Sequence, residues 1–527
     1  MRILGSTWQE GYLDYYRKPG ELRVSVRAWV ALDVVPSMFI ERPRSLRLVW
    51  NYFREIGFSM TLQKIRSRRA EGLRNQRFFS MGVGTIEACD ADGTWQNGQP
   101  VLFFAPSHPF CLERVVLDAR LVRTDEDNLL ERFSDSKNIY WGLSDEIQVD
   151  PGLMGWQPES GSDLSPELLD KHFDAARNVL KSLDSERLNL LPVDPSSTEP
   201  RTRTENPLSP NGDEKSACLF GLGNYAKTVI LPNLTKDVRM FCVHESDPTQ
   251  IGQEEQFPWP ADTSPCLRED EKYDIVFIAG YHHTHADLAV ETMERGGYAV
   301  VEKPVVTTGE QLDRLGDVLQ RRPGRLFACF HMRYNPLLRD IWSYLSVEKG
   351  EAIHYYCTVY EIPLPERHWY RWPRSRSHIV SNGCHWLDHF LHLNDYSNPV
   401  KWDVIPCANG DSQMHVQLEN GAVLGMHLTH AGSPRLGVRD HVEMRANGRT
   451  AVMESGSRYF VEDDLRVIRR KKGNRMDAYR RMYQTISERI VHGEPGDSLL
   501  SVVVTHRLAL NLDAMRAEKV KNEKGTE

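Results

Sequence analysis

The sequence predicts an α/β fold in which a doubly wound parallel sheet is followed by an α+β domain with a mostly antiparallel open sheet, and is preceded by a β-rich domain. Three observations support this prediction. Apolar strands alternate with helical segments between residues 216 and 335, long alternating strands follow from residue 352, and short strands dominate the first 135 residues. Strands that alternate with helices are typical of parallel sheets, whereas period-two alternation marks half-buried strands.

Size and composition describe a globular protein of more than one domain. The chain has 527 residues, of which 40% are hydrophobic and 26% are charged, and its formal net charge is −8. This length exceeds what one hydrophobic core supports, so two or three domains are expected. The negative charge argues against nucleic-acid binding as the main activity. No apolar run is long enough to span a bilayer, so no membrane association is expected.

The N-terminal segment and the cysteines bear on the cellular compartment. Met1–Tyr16 lacks the apolar core of a secretory signal, and the nine cysteines are scattered without a C-x-x-C pair. Both observations predict a cytoplasmic protein with free thiols and without a structural zinc site.

A strand followed by a glycine turn is the most informative stretch. The apolar run Ala217–Phe220 ends at Gly221, and the segment Lys227–Leu234 has a helical apolar period. Gly221 would allow a tight turn, Gly223 would let the backbone approach a pyrophosphate, and Ala226 is small enough for close packing of helix against strand. The helix N-terminus would then offer its free N–H groups to the phosphates.

The elements after this turn support a dinucleotide site. A second strand, Val238–His244, ends at Glu245, about where an acidic residue meets the adenosine ribose. A third strand at 274–279, a helix at 286–295 and a fourth strand at 298–301 continue the alternation. This order predicts a parallel, doubly wound sheet that binds a dinucleotide.

The fourth strand runs into Glu302-Lys303-Pro304, and here the sequence resembles the Gfo/Idh/MocA oxidoreductases over about residues 216 to 515. The motifs that carry the resemblance are the glycine turn, His285 and Glu302-Lys303-Pro304. The resemblance implies a Rossmann fold, NAD as the cofactor and hydride transfer. It also implies a second domain that forms one wall of the substrate site and often an oligomer interface, so a homo-oligomer (dimer or tetramer) is expected.

The resemblance implies a set of cofactor-binding residues. They are Gly221, Gly223, Asn224, Tyr225, Ala226, Glu245, Gly280, His282, His285, Glu302 and Lys303. Because Glu245 would repel a 2′-phosphate and no arginine follows it closely, NAD is expected rather than NADP. Lys303 is also a catalytic candidate, since its ammonium could polarise an alcohol or carbonyl oxygen. Lys303-Pro304 is expected to be a cis peptide, as in related enzymes.

The stretch that contains His385 matches the family's Gly-x-His-x-x-Asp helix. Residues three apart share a helical face, so His385 and Asp388 could point together into a cleft. A histidine that titrates near neutrality can take a hydroxyl proton while hydride leaves the same carbon, and Asp388 could orient that histidine. The family often places an Asp four residues before the histidine, but this chain has Ser381, with Asn382 as the nearest polar alternative.

Two further segments supply substrate-binding candidates. Arg371 and Trp369 lie in a run of arginines and aromatic residues, which could bind an anionic group and stack on a sugar or base, or could form a solvent-facing loop. At the junction after the next strand, Arg333 alone represents the arginine pair of the resembled family, and Tyr334 follows it. The substrate-binding set is Arg333, Tyr334, Trp369, Arg371, Asn382 and His385.

Residues 1–135 resemble the GroES-like barrel of medium-chain alcohol dehydrogenases, and the whole chain is similar to bi-domain oxidoreductases that place such a unit first. At the expected zinc positions this chain has Leu32–Pro36 and Phe79–Gly82, which lack the required ligands. His108 and Cys111 are interpreted as structural, so no metal site is predicted. An accessory domain of this kind could cover the active-site cleft, hold part of a substrate or contact another subunit.

Four regions follow from these patterns: the GroES-like domain at 1–135, a helix and linker at 136–215, the Rossmann domain at 216–335 and the Gfo/Idh/MocA C-terminal domain at 336–527.

The leading hypothesis is an NAD-dependent oxidoreductase of a polar metabolite, by resemblance a sugar or nucleotide-sugar derivative. The alternative is a non-catalytic dinucleotide-binding sensor or scaffold. A nucleic-acid binder is supported only by the basic run 466–475, which a solvated turn also explains.

Overall fold

The fold was obtained as a computed structural model that describes residues 19–33, 78–91, 93–105, 114–132, 138–143, 166–182, 189–191, 214–247, 250, 259–262, 264–348, 350–364, 368–407, 409–433 and 437–524. The described residues fall into two compact units. The first lies within Met1–Asn206, Phe220–Asn224 and Met240–Asp270, and the second within Pro207–Leu219, Tyr225–Arg239 and Glu271–Glu527. Among the described helices, none is both long and apolar enough to cross a membrane.

The described residues of the N-terminal region form a seven-stranded sheet and two α-helices. The strands are β1 (Glu21–Asp33), β2 (Phe78–Ala88), β3 (Pro100–Phe104), β4 (Arg114–Asp118), β5 (Val122–Thr124), β6 (Asn138–Leu143) and β7 (Asn189–Leu191), and the helices are α1 (Leu129–Arg132) and α2 (Pro166–Ser182). Their order is β5-β3-β2-β1-β6-β7, with β4 also paired to β1. Only β6 pairs parallel to β1, and the other pairs are antiparallel.

The strands predicted for the first 135 residues and the helix predicted within 136–215 are therefore confirmed, as β1 to β4 and α2. In β1 the side chains of Val24, Val26 and Ala28 are buried in alternation with less buried neighbours, as a half-buried strand requires. Whether the sheet is a GroES-like barrel stays a prediction. Residues 45–69, whose basic and amphipathic sequence predicts a helix, lie outside the described residues, as do His108, Cys111 and most of the linker.

The next sheet has six strands. They are β8 (Lys215–Phe220), β9 (Val238–His244), β10 (Ala261–Asp262), β11 (Ile275–Ile278), β12 (Tyr298–Val301) and β13 (Leu326–Ala328). The spatial order is β10-β9-β8-β11-β12-β13, which is the 3-2-1-4-5-6 order of dinucleotide-binding sheets. The pairs β9–β10, β11–β12 and β12–β13 are parallel. Every residue of β11 is buried, as expected for a parallel sheet covered on both faces.

The helices that connect these strands differ in regularity. α3 (His285–Glu294) agrees closely with the helix predicted at 286–295, and α4 (Gly309–Arg321) is the next crossover helix. The segment after the glycine turn is instead a π-helical turn at Ala226–Ile230 and a 3₁₀ turn at Leu231–Asn233, which corrects the prediction of one regular helix. Pro232 explains the difference, because proline has no N–H and its ring clashes with the carbonyl four residues earlier.

The C-terminal region is an eight-stranded sheet with four helices. The strands are β14 (His354–Tyr360), β15 (Pro399–Pro406), β16 (Ser412–Leu418), β17 (Val423–Thr429), β18 (Arg439–Ala446), β19 (Arg449–Glu454), β20 (Arg458–Glu462) and β21 (Val467–Lys472), and the helices are α5 (Pro336–Leu345), α6 (Cys384–Leu393), α7 (Met476–Val491) and α8 (Leu499–Lys524). The order is β15-β16-β17-β14-β18-β19-β20-β21, and all pairs are antiparallel except β14–β17.

This sheet confirms the predicted antiparallel domain. Asn447-Gly448 joins β18 to β19 with positive φ at both residues, as a two-residue hairpin turn requires. The basic run at 466–475 forms the edge strand β21, where basic side chains discourage further strand pairing. Lys471 and Arg469 contact Asp340, and the Arg475 guanidinium donates to the Val438 carbonyl.

Candidate active site

The glycine turn follows β8 directly. Gly221 has φ of 89°, a conformation that side chains rarely adopt, and its N–H donates to the His244 carbonyl at 2.8 Å. A Cβ built on Gly223 would meet no described protein atom within 4 Å. The turn therefore needs glycine at 221 for backbone reasons and leaves the backbone at 223 open to approach. Asn224 is half-buried beside it.

Glu245 is held against this turn at the carboxyl end of β9. The residue is 7% exposed, its Oε2 accepts from the Leu222 N–H at 2.5 Å, and its Oε1 accepts from the Asp247 N–H at 2.8 Å. Two backbone N–H groups thus fix the position of the carboxylate beside the turn. Glu245 and the turn therefore fit the adenosine and pyrophosphate portion of a dinucleotide.

Tyr225 and Ala226 begin the π-helical turn. Ala226 is almost completely buried, in agreement with the predicted need for a small residue in close packing. Tyr225 is half-buried, and its ring meets the edge of Tyr479 at a centroid distance of 6.2 Å.

Lys303 follows β12 and precedes a cis peptide to Pro304, as predicted. Its Nζ donates to the Ser381 carbonyl at 3.1 Å and to Asn382 Oδ1 at 3.4 Å. An ammonium has three N–H donors, so one is left after these two contacts. Burial alone would lower the pKa of Lys303, but its surroundings, chiefly Tyr370, raise the pKa above the ordinary lysine value. Lys303 is therefore a cation at neutral pH.

The residues next to Lys303 in the sequence form hydrogen bonds with distant parts of the chain. The Glu302 carboxylate accepts from the Tyr483 hydroxyl, and burial raises its pKa. The His285 ring lies between two carbonyl oxygens, with Nδ1 2.8 Å from Pro304 and Nε2 3.1 Å from Gly280. These contacts fix the end of β12 and the cis peptide. Glu302, His285 and Gly280 thus frame Lys303, and direct contact between these residues and a cofactor stays a prediction.

An aromatic cluster surrounds His282. Its ring centroid lies 4.7 Å from Trp369 and 4.6 Å from Tyr370, and burial lowers its pKa well below the usual value. Trp369, a predicted substrate residue, is therefore packed against protein rings on at least one face. Arg371 lies on the surface at the end of the same short turn.

His385 stands near the start of α6 and is 7% exposed. Its Nδ1 has no hydrogen-bond partner among the described residues, and its ring meets the edge of His331 at 4.6 Å. Burial lowers the pKa of His385 well below its usual value, and the positive charge of Lys303 acts in the same direction. The imidazole is therefore neutral at pH 7, which corrects the expectation of a histidine that titrates near neutrality.

Asp388 has a different partner from the one expected. It is fully buried, and both carboxylate oxygens contact the Arg333 guanidinium, which also donates to Asp497 at 2.8 Å. Asp388 is thus a partner of Arg333, and no described contact joins it to His385. Arg333, predicted to bind substrate, uses its donors on these two carboxylates. Tyr334 is half-buried in the same 3₁₀ turn, His331–Tyr334.

Three features of the site were missed at the sequence level. Glu361 approaches Asn382, His331 contacts His385, and the π-helical turn Ile379–Gly383 carries both Lys303 acceptors. Glu361 lies at the end of the alternating strand β14, and this position is the sequence signal that could have identified it as a site residue. π-helical turns recur at functional sites, but the spacing of apolar residues does not identify them.

The arrangement around Lys303 and His385 can perform acid–base chemistry at one carbon. A cationic donor can stabilise negative charge on an oxygen, and a neutral imidazole can take or return a proton. His385 is buried and Lys303 is half-buried, so their interactions are stronger than in water.

Comparisons with known proteins agree with this geometry. Residues 216–330 match the family model GFO_IDH_MocA, described as an oxidoreductase family with an NAD-binding Rossmann fold. YteT of Bacillus subtilis (strain 168), whose name assigns it to the oxidoreductases, is 27% identical over 127 residues, 23% of this chain and 29% of YteT. The uncharacterized oxidoreductase YdgJ of Escherichia coli (strain K12) is 31% identical over 121 residues, 22% of this chain and 34% of YdgJ.

The chain thus matches about a third of the length of these curated relatives. A dehydrogenase structure from Chromobacterium violaceum is similar with a TM-score of 0.51 and 14% sequence identity, covering 60% of this chain and 98% of that one. Residues 216–330 are therefore similar to the NAD-binding Rossmann fold of the Gfo/Idh/MocA oxidoreductase family.

Proposed function

We propose that the protein is an NAD-dependent oxidoreductase that transfers hydride to or from a carbon bearing a hydroxyl, carbonyl or imine group on a polar metabolite. The substrate class proposed by family resemblance is a sugar or nucleotide-sugar derivative. The observation that carries the proposal is the half-buried Lys303 ammonium, which retains one N–H donor and lies within electrostatic range of the neutral His385. We extend the proposal to a cytoplasmic homo-oligomer.

Gly221, Gly223 and Glu245 would hold the pyrophosphate and adenosine ribose of the cofactor. When bound, NAD supplies the hydride acceptor or donor. The fit is supported by the positive φ of Gly221, the open approach at Gly223 and the fixed carboxylate of Glu245. A carboxylate at this place favours ribose hydroxyls over a 2′-phosphate.

In the proposed reaction, the third N–H of Lys303 donates to the oxygen of the reacting carbon. His385 accepts the hydroxyl proton in the oxidation direction and returns it in the reduction direction. Lys303 remains an ammonium throughout and stabilises the developing alkoxide. General acid–base catalysis by one side chain contributes about 10²–10⁴-fold in rate.

The test combines cofactor binding with turnover by the full-length protein. Binding of NADH is measured by calorimetry, and a panel of sugars and nucleotide sugars is screened by absorbance change at 340 nm. Lys303→Ala and His385→Ala should each lower kcat at least about 10²-fold with little change in NADH affinity. The exposed residues Lys401 and His441 offer matched controls, since Lys401→Ala and His441→Ala should retain normal turnover.

Two outcomes would contradict the proposal. If His385→Ala kept wild-type turnover, the acid–base role would be wrong. If NADH bound but no substrate class supported turnover, the alternative of a dinucleotide-binding sensor or scaffold would be favoured.

A further inference from the structure

A buried carboxylate approaches the amide that holds Lys303. We propose that Glu361 is the positioning carboxylate of the active site and that it acts on Lys303 through Asn382. This inference rests on the proposed function, and it assigns the missing acidic role to a residue 20 positions before Ser381. Ser381 itself contributes only its backbone carbonyl to the described contact with Lys303.

The contacts form a chain of three side chains. The Asn382 Nδ2 group donates to Glu361 Oε1, and Asn382 Oδ1 accepts from the Lys303 ammonium at 3.4 Å. A carboxylate only accepts and an ammonium only donates, so a single orientation of the Asn382 amide satisfies both neighbours. A charged Glu361 therefore fixes Asn382 with its oxygen towards Lys303.

The fold holds Glu361 where it can do this. It directly follows β14, is 9% exposed, and its N–H donates to the Thr429 carbonyl at 2.9 Å. On the side away from Asn382, its Oε2 lies 3.9 Å from His430 Nε2. His430 is itself held by Asp411, whose Oδ1 accepts from the His430 N–H at 2.8 Å and lies 3.4 Å from its ring Nδ1.

The protonation state of Glu361 should decide the orientation of Asn382. A neutral carboxylic acid has an O–H donor, so the Asn382 amide could turn its oxygen towards Glu361 and its NH₂ group towards Lys303. Lys303 would then lose an acceptor and a fixed position. The Lys303 cation would face two amide N–H donors instead of an oxygen, so its placement under the substrate oxygen would be lost.

The pH dependence follows from the groups that face Glu361. Burial raises its pKa, while the hydrogen bond from Asn382 and the charges of His430 and Lys303 oppose the rise. His430 in turn contacts Asp411 and His378. The ring centroids of His378 and His430 are 5.5 Å apart. Because the net shift is upward, protonation begins at a higher pH than for an exposed glutamate. Turnover should fall as pH decreases through this pKa.

The main experiment compares Glu361→Gln with the full-length wild type and with Glu419→Gln, an exposed glutamate in the same region. Glutamine keeps the volume but carries both a donor and acceptor, so the Asn382 orientation is no longer unique. We expect kcat to fall about 10–100-fold, as for misplacement of a catalytic group, with unchanged NADH affinity. The acidic limb of kcat/KM should move to lower pH. Glu361→Asp should restore the limb at reduced kcat, because it keeps the charge.

A second measurement does not depend on turnover. Acetylation of Lys303 by a water-soluble acetyl ester, followed by mass spectrometry, reports how firmly the ammonium is held. Lys303 should be acetylated several-fold faster in Glu361→Gln and in Asn382→Ala than in the wild type. In Glu419→Gln it should be acetylated at the wild-type rate. Wild-type acetylation rates in both site variants would overturn the inference even if no substrate were known. If the wild type showed no turnover but Lys303 were acetylated faster in the two site variants, only the proposed function would be wrong.

Discussion

Arg333 and Asp388 form a buried, two-contact ion pair between the turn after β13 and helix α6. Arg333 Nε lies 2.8 Å from Asp388 Oδ2, the second guanidinium nitrogen contacts Oδ1, and the side chains are 7% and 0% exposed. Asp497 accepts from the same guanidinium, and Thr505 donates to Asp388. The pair thus joins residues that are 55 positions apart and connects them to the start of α8.

Removing the charge of Asp388 should destabilise the C-terminal region. Asp388→Asn leaves Arg333 buried with one carboxylate instead of two, and loss of one partner of a buried pair costs about 3–5 kcal/mol. Because Asp497 remains, we expect about 3 kcal/mol, measured by urea denaturation of the full-length protein.

The control for this variant is Asp287→Asn, which breaks the pair with Arg314, in which both side chains are more than half exposed. An exposed pair contributes at most about 1 kcal/mol, so this change should be small. Equal stability losses in the two variants would contradict the role given to the buried pair.

Acid should destabilise the protein through its buried and half-buried histidines. Burial lowers the pKa of His378 and His389 to about 3 and that of His283 and His506 to about 4. Because the unfolded histidine pKa is about 6.5, the unfolded chain binds more protons below that pH than the folded chain does. Each histidine therefore removes about 1.4 kcal/mol per pH unit as pH falls from about 6.5 towards its folded pKa.

Thermal melting between pH 8 and pH 4.5 checks this expectation. The melting temperature should be nearly constant above pH 7 and fall steeply below pH 6. His389→Asn, which can still bond the Tyr355 hydroxyl, should weaken the fall, whereas the exposed His441→Gln should not. A melting temperature that stays level down to pH 5 would show that these histidines are not held neutral.

Glu245 should select NAD over NADP. Its carboxylate is fixed beside the glycine turn and would repel a 2′-phosphate. One charged contact of this kind is worth roughly 1–3 kcal/mol, so NAD should bind about 5- to 150-fold more tightly. Calorimetric titration of both cofactors into the wild type and Glu245→Gln measures the difference, which should shrink in the variant. Equal affinities in the wild type would remove Glu245 from this role.

The N-terminal region is expected to bind no zinc, because Leu32–Pro36 and Phe79–Gly82 supply no cysteine or histidine at the positions of the resembled ligands. Elemental analysis of the full-length protein, purified without chelators, should find far less than one zinc per chain. One tightly held zinc per chain would contradict this prediction and the interpretation of His108 and Cys111 as structural.

The sequence determined the elements whose signals are local. Apolar runs and their spacing predicted the parallel sheet, the glycine turn identified the position that needs positive φ, and Lys303 was located by the motif that follows β12. Period-two alternation likewise predicted the antiparallel sheet. These properties depend on backbone preference and on one-sided burial, which a short stretch of residues encodes by itself.

Only the tertiary structure decided which polar side chains are partners. Lys303 and Asn382 are 79 positions apart, Arg333 and Asp497 are 164 apart, and nothing in either neighbourhood specifies the other. The same dependence on distant contacts turned Asp388 away from His385 and brought Glu361 to Asn382. A buried charge must find a partner wherever the packed chain provides one, so its role follows from the assembled fold and not from its spacing along the sequence.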